Sequence, residues 1–258
     1  MDQIVNPLAA HIQTVKRRLI IVGVTILVCL VGAFSFSGEI VAWLNRPFKN
    51  QLAFYGPTEA LFASIKVSFL ASIILSLPVI FYQCWKLVEP ALLPKEQRWA
   101  IPLFFLAGGL FALGLVFCNL VILPLAIDFF VSFGLDRDIT PQLGVGTYID
   151  FNVKFLLVFG WAFEVPLVMT LLAVTGTVSA QRFAQYRKHA IIVILILSAV
   201  ITPDATMFTM MLMAVPLMAL YEVGILGARL FGREPDKGGM DLPMDPDMPT
   251  GSAGTRTR

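Results

Sequence analysis

Several long runs without Asp, Glu, Lys or Arg limit what this chain can fold into more than any other feature. A helix that crosses a bilayer needs about 20 consecutive apolar residues. Four segments reach that length, at about 19–37, 61–84, 100–123 and 151–175. Two shorter apolar segments, 190–202 and about 205–226, flank a tight turn at Pro203 and Asp204. The pattern predicts an all-α, polytopic membrane protein with six transmembrane helices; a re-entrant final hairpin is the alternative.

Composition excludes several classes of protein. Hydrophobic residues make up 57% of the 258 residues and charged residues only 14%, whereas a soluble domain carries about 25% charge. The net charge of +2 is too small for a nucleic-acid binder, which needs a concentrated basic face. Cys29, Cys84 and Cys118 are far apart and odd in number, so we predict no disulfide framework. We also predict no metal site and no cofactor.

Basic residues are unevenly distributed among the connections between the spans. Of the 19 Lys and Arg residues, only Arg46, Lys49 and Arg137 fall in the connections on one side. The positive-inside rule therefore places both termini in the cytoplasm. We expect a cytoplasmic segment at 1–18, a transmembrane domain at 19–228 and a disordered tail at 229–258. A cleaved signal peptide over the first run is the alternative.

Prolines lie in or next to most of the predicted spans. Because proline removes a backbone donor and tends to kink a helix, a bent, cupped bundle is expected rather than a straight one. The prolines in question are Pro78, Pro102, Pro124, Pro166 and Pro216.

Glu164 is the most informative polar residue. It falls about 20 Å along its helix from residue 151, near the bilayer midplane, where an acid costs about 2.5–3.5 kcal/mol to insert. One hypothesis is a protonated carboxyl group hydrogen-bonded to a neighbouring helix. The other is a polar spot that faces a cavity filled by water or by a partner, with Gly160 on the same helical face leaving the space.

Two other polar features are open to more than one interpretation. Lys66 lies about five residues inside the second span, where its long side chain can extend to the interface. The connection 85–99 carries Glu89 and Glu96, with two prolines between them. Such a rigid acidic loop suits a cationic ligand or peptide, although it also fits an ordinary charged loop.

Five motifs in order resemble the twin-arginine translocase C subunit (TatC) family, over about residues 8–228. The motifs are PTEALFASIKVSF, SLPVIFYQCWKLVEPALLPKEQR, FGWAFEVP, RKHAII followed by ITPD, and AVPLMALYEVGI. The resemblance implies a six-span, cupped bundle in the bacterial inner membrane. It also implies a receptor, not an enzyme, that recognises the twin-arginine signal peptides of folded precursors. Such a receptor recruits single-span TatA/TatB-type subunits, forms homo-oligomers within a hetero-oligomeric complex and depends on the proton-motive force.

The resemblance also assigns residues. Glu96 matches the loop acid that contacts the signal arginines, and we place Glu89, Lys16 and Arg18 in the same signal-peptide site. Glu164 and Lys66 form the expected intramembrane polar site, and Pro203 with Asp204 forms the expected periplasmic hairpin. One departure is notable, because Thr14 stands where the family has an acid.

A secondary transporter is the rival function. It would use Glu164 and Lys66 as a relay for a proton or a small solute. Such a protein is expected to carry midplane polar residues on several helices and broken helices in related halves, whereas Glu164 is the one clear midplane acid of this sequence.

Overall fold

The computed structural model describes residues 7–44, 52–53, 56–88, 100–135, 143–202 and 206–232. The helices within these ranges are α1 Pro7–Ser35, α2 Ser37–Leu44, α3 Pro57–Val88, α4 Ala100–Phe117, α5 Leu123–Leu135, α6 Val145–Val174, α7 Ala180–Gln185, α8 Arg187–Ile201 and α9 Met207–Phe231. Two short strands, β1 Leu52–Ala53 and β2 Leu143–Gly144, pair in parallel. The all-α prediction is confirmed, with this small pairing as an addition.

Five helical segments are long and apolar enough to cross a membrane. They are Gln13–Ser35, Thr58–Leu87, Ile101–Ser132, Val145–Val174 and Met207–Phe231. The predicted fifth span corresponds to α8, which has 15 residues and would reach only about 22 Å alone. Helix α7 precedes it with a single intervening residue, Tyr186, so the two together cover about 33 Å.

The third span is longer than the sequence suggested. A π-helical turn at Cys118–Ile122 joins α4 to α5, so the helix continues past residue 123 to Leu135. Pro124 lies just after this turn, and its ring would clash with the carbonyl of residue 120 in a regular α-helix. The extra residue of a π turn removes that conflict, so the helix passes the proline and does not end there.

Helices α1 and α9 extend across the predicted domain boundaries at 18 and 228, which stay predictions. Helix α1 begins at Pro7, so it enters the span without a break. Helix α9 runs to Phe231 because its last turn is packed: Ala228 is buried, and the Gly232 amide donates to the Ala228 carbonyl. Residues 233–258 lie outside the described part of the chain.

Helix α6 is the centre of the bundle. It packs against α3, α4 and α9, while α1 packs against α3 and α8 packs against α9. Phe111 of α4 and Phe155 and Phe159 of α6 are fully buried. These rings form a core that holds α6 in place.

Glycines let two helices approach α6 closely. A Cβ atom at Gly114 of α4 would lie 2.5 Å from the Phe159 carbonyl oxygen, and one at Gly224 of α9 would lie 2.5 Å from the Met169 sulfur. The internal prolines do not end their helices, since α3, α6 and α9 continue across Pro78, Pro166 and Pro216.

The bundle has two chemically different ends. One, called the basic end below, carries most of the cationic side chains of the described residues, namely Lys16, Arg17, Arg18, Lys86, Arg182, Arg187, Lys188 and Arg229. The other, called the clamp end, holds α2, the β1–β2 pair and the first turns of α3 and α6. The basic end corresponds to the side that the charge asymmetry assigns to the cytoplasm.

Candidate functional site

The basic end brings α1 beside the last turns of α3. Arg18 Nη1 donates to the Gln83 carbonyl oxygen at 3.3 Å, and Lys16, two residues earlier, is exposed. A bond from Arg18 to the last carbonyls of a helix is also favoured by the helix dipole. Arg18 therefore lies next to the last turns of α3, after which the chain enters the following loop.

Four of the predicted site residues lie outside the described part of the chain. Glu89 and Glu96 belong to the connection between α3 and α4, and Pro203 and Asp204 belong to the connection between α8 and α9. Their roles stay predictions.

An acid that the sequence reading did not single out lies at the basic end. Glu222 of α9 accepts a hydrogen bond from Arg187 Nη2 of α8 at 2.7 Å. Close by, the Tyr221 hydroxyl donates to the Phe183 carbonyl oxygen at 2.8 Å. The Arg187–Glu222 pair joins α8 to α9, so the Glu222 carboxylate already has one cationic partner.

Glu164 is buried inside the protein and does not face outward. Its side chain is 6% exposed, its carboxyl group lies near the backbone of Phe111, and its Oε1 has no hydrogen-bond partner among the described residues. The space beside Gly160 is filled by the Phe111 ring, which would lie 2.7 Å from a Cβ atom there. The geometry is closer to the hypothesis of a carboxyl group packed against a neighbouring helix.

Lys66 has a specific partner on another helix. Its Nζ lies 2.5 Å from Asp150 Oδ1, with both side chains 38% exposed. Asp150 lies in the second turn of α6. It is 14 residues from Glu164, or about 21 Å along the helix. Lys66 and Glu164 therefore do not form one relay.

The clamp end contains contacts that sequence reasoning missed. Glu59 Oε1 accepts a hydrogen bond from the Gly146 amide at 2.6 Å, and the Tyr148 hydroxyl donates to the Leu44 carbonyl oxygen at 3.1 Å. No local sequence pattern could predict these contacts, because they join residues that are 87 and 104 positions apart. Together with the Lys66–Asp150 pair, they fasten α2 and α3 to α6.

Within the described ranges, no group of three or more His, Cys, Asp and Glu side chains is arranged to hold a metal ion. The three cysteines are free thiols. Two charged pairs in these ranges join neighbouring helices, Lys66–Asp150 and Arg187–Glu222.

Comparisons with known proteins agree with this architecture. Residues 10–216 match the family described as Sec-independent protein translocase protein (TatC). The TatC protein of Aquifex aeolicus is 37% identical over 237 residues, covering 88% of this chain and 97% of that protein. That of Helicobacter pylori strain J99 is 33% identical, with 88% and 91% covered. A crystal structure of the twin-arginine translocase receptor TatC superposes with a TM-score of 0.79 at 36% identity, covering 86% and 100%.

Proposed function

This chain belongs to the TatC family of Sec-independent protein translocase proteins, and we propose that its basic end binds the twin-arginine signal peptides of folded precursors. It is a membrane component of the twin-arginine translocase and serves as its receptor. We place it in the bacterial inner membrane with both termini in the cytoplasm. The basic end is then the face that a precursor meets first.

One observation supports the location of the signal site above the others. The Arg18–Gln83 contact joins α1 to the end of α3, and the loop that carries Glu89 and Glu96 follows α3 directly. The N-terminal segment and the acidic loop therefore start from neighbouring points of the bundle. A peptide that lies across the junction between α1 and the end of α3 reaches both.

Charge determines which residues recognise the signal. A pair of guanidinium groups is repelled by Lys16 and Arg18 and needs carboxylates, which accept paired hydrogen bonds from arginine. Glu222 at this end is paired with Arg187, and Thr14 replaces the acid of the family pattern. Recognition therefore depends on Glu96 and Glu89. We propose that Lys16 and Arg18 position α1 against the end of α3 and contact the backbone of the peptide.

Assembly with other subunits is the second part of the proposal. We propose that single-span TatA/TatB-type subunits pack against this chain and that copies of it associate within the complex. Exposed methionines on α9, such as Met207 and Met211, offer an adaptable surface for a partner helix. Transport then draws on the proton-motive force.

The geometry does not favour the rival transporter. A relay needs its polar groups within reach of one another, but Lys66 is held by Asp150 about 21 Å along α6 from Glu164. Glu164 in turn packs against the backbone of Phe111.

Complementation tests the proposal. A strain that lacks its own receptor subunit is supplied with this chain, and export of a folded reporter carrying a twin-arginine signal is measured. Export is expected for the twin-arginine reporter and strongly reduced export for the twin-lysine version. Equal export of both reporters, or of neither, contradicts the proposed recognition.

A further inference from the structure

An apolar groove runs between α6, α8 and α9. It has a volume of 490 Å³, and its lining is entirely apolar in surface. The lining includes Leu157, Trp161, Val165, Ala190, Ile194 and Leu220. The groove exists because α8 packs mainly against α9 and leaves a gap toward α6.

A cationic group lies at the mouth of this groove. Arg187 precedes Ala190 by three residues, so the two share a face of α8. Tyr221 lines the groove, and the next residue, Glu222, holds the Arg187 guanidinium through Nη2. A guanidinium has five donors, and the Arg187 side chain is 44% exposed. Arg187 therefore retains donors for a second anion.

The surrounding charge is positive. Arg182 and Lys188 are exposed beside the mouth, and Arg229 lies further along α9. Within α7, α8 and α9, Glu222 is the one acid among the described residues. An apolar channel that ends at a net positive, interfacial mouth complements a molecule with an apolar chain and an anionic head.

We propose that this groove binds an anionic phospholipid, with one acyl chain between α6 and α8 and its phosphate at Arg187. The size of the groove suits a single lipid chain, because a cavity of about 150 Å³ holds one benzene ring and this groove has room for about three such groups. The inference does not depend on the site assigned to the signal peptide.

Trp161 provides a probe inside the groove. It is one of four tryptophans, so a chain with Trp43→Phe, Trp85→Phe and Trp99→Phe reports on this position alone. The full-length protein is reconstituted in phosphatidylcholine vesicles that contain a small fraction of either brominated phosphatidylglycerol or brominated phosphatidylcholine. Bromine on the acyl chain quenches tryptophan on contact, whereas free phosphate has no effect in this assay.

Brominated phosphatidylglycerol is expected to quench Trp161 more strongly than brominated phosphatidylcholine at equal mole fraction. Arg187→Gln should lower the relative affinity for the anionic lipid about fivefold. Glu222→Gln should raise it, because the carboxylate competes with phosphate for the guanidinium. Arg17→Gln removes one positive charge from the same end of the bundle on α1 and should leave the preference unchanged.

A second pair of variants tests the groove itself. Ala190→Phe places a ring in the mouth and should reduce quenching by the brominated anionic lipid, whereas Val200→Phe adds the same ring at an exposed position of α8 and should not. Equal quenching by the two lipids means that Trp161 contacts only bulk bilayer, and the proposal is then wrong. Absence of quenching by either lipid means that a helix or a second copy fills the groove, which also overturns it.

Discussion

The carboxylate of Glu59 in α3 caps the first turn of α6 by accepting a hydrogen bond from the Gly146 amide at 2.6 Å. Helix α6 starts from Gly144, which offers no side-chain cap, so a residue of another helix supplies it. A negative charge at a helix N-terminus is favoured by the helix dipole. The contact therefore stabilises α6 and fixes its position relative to α3 at the same time.

Gly146→Ala is predicted to break this contact. The new Cβ atom would lie 2.6 Å from Glu59 Cγ, so the carboxylate must move away from the amide. The expected loss is about 1.5–3 kcal/mol, the usual range for a hydrogen bond to a charged group, measured as resistance to thermal unfolding in detergent. Gly109→Ala is the control, because nothing lies within 4 Å of a Cβ atom there. Equal stability of the two variants would show that Glu59 does not cap α6.

The Lys66–Asp150 pair is predicted to be structural. Lys66→Met leaves an unpaired carboxylate within a span and should lower the amount of folded protein in the membrane. The double variant Lys66→Met with Asp150→Leu removes both charges and should recover most of it. Membrane levels and reporter export are measured together. A relay role for Lys66 predicts the opposite, with no recovery of export in the double variant.

Gly160 is predicted to be intolerant of any side chain as long as Phe111 keeps its ring. Gly160→Ala should reduce stability because the Phe111 ring occupies the Cβ position, and overpacking of this kind costs about 1–3 kcal/mol. Adding Phe111→Leu should restore part of the loss. The two single variants and the double variant form a thermodynamic cycle, and strict additivity in it would contradict the contact.

Replacing Glu164 is predicted to raise the stability of the protein and to lower its export activity. Its Oε1 has no partner among the described residues, and an acid in the bilayer costs about 2.5–3.5 kcal/mol to insert. Glu164→Leu should therefore unfold at a higher temperature than the unmodified chain, yet export the twin-arginine reporter less well. Phe163→Leu, which removes neighbouring apolar contacts and no charge, should lose stability. Full export by Glu164→Leu would leave the acid without a functional role.

The spans were the most predictable part of this protein. Apolar runs of sufficient length give the helices directly, because only a helix satisfies its own backbone in lipid. The third span was predicted too short because a π turn ahead of Pro124 has no signal in composition. The sequence identified Lys66 as unusual but not its partner, because Asp150 lies 84 residues away on another helix.

The polar site was predictable in kind but not in arrangement. Glu164 is recognisable from sequence as an acid within an apolar span, and the space beside Gly160 was expected. That Phe111 fills this space depends on how α4 crosses α6, which no local pattern encodes. The Glu59–Gly146 and Arg187–Glu222 contacts were missed for the same reason, as each joins distant segments.

Affinity for the signal peptide tests the central claim most directly. The purified full-length protein is titrated with a twin-arginine signal peptide, and the dissociation constant is compared with those of Glu96→Gln and of the matched acid variant Glu39→Gln in α2, at the other end of the bundle. Loss of one charge-assisted bond should weaken binding by about 10-fold or more for Glu96→Gln and leave Glu39→Gln unchanged. Equal affinities for all three proteins would contradict the proposal that the loop acid at the basic end recognises the arginine pair.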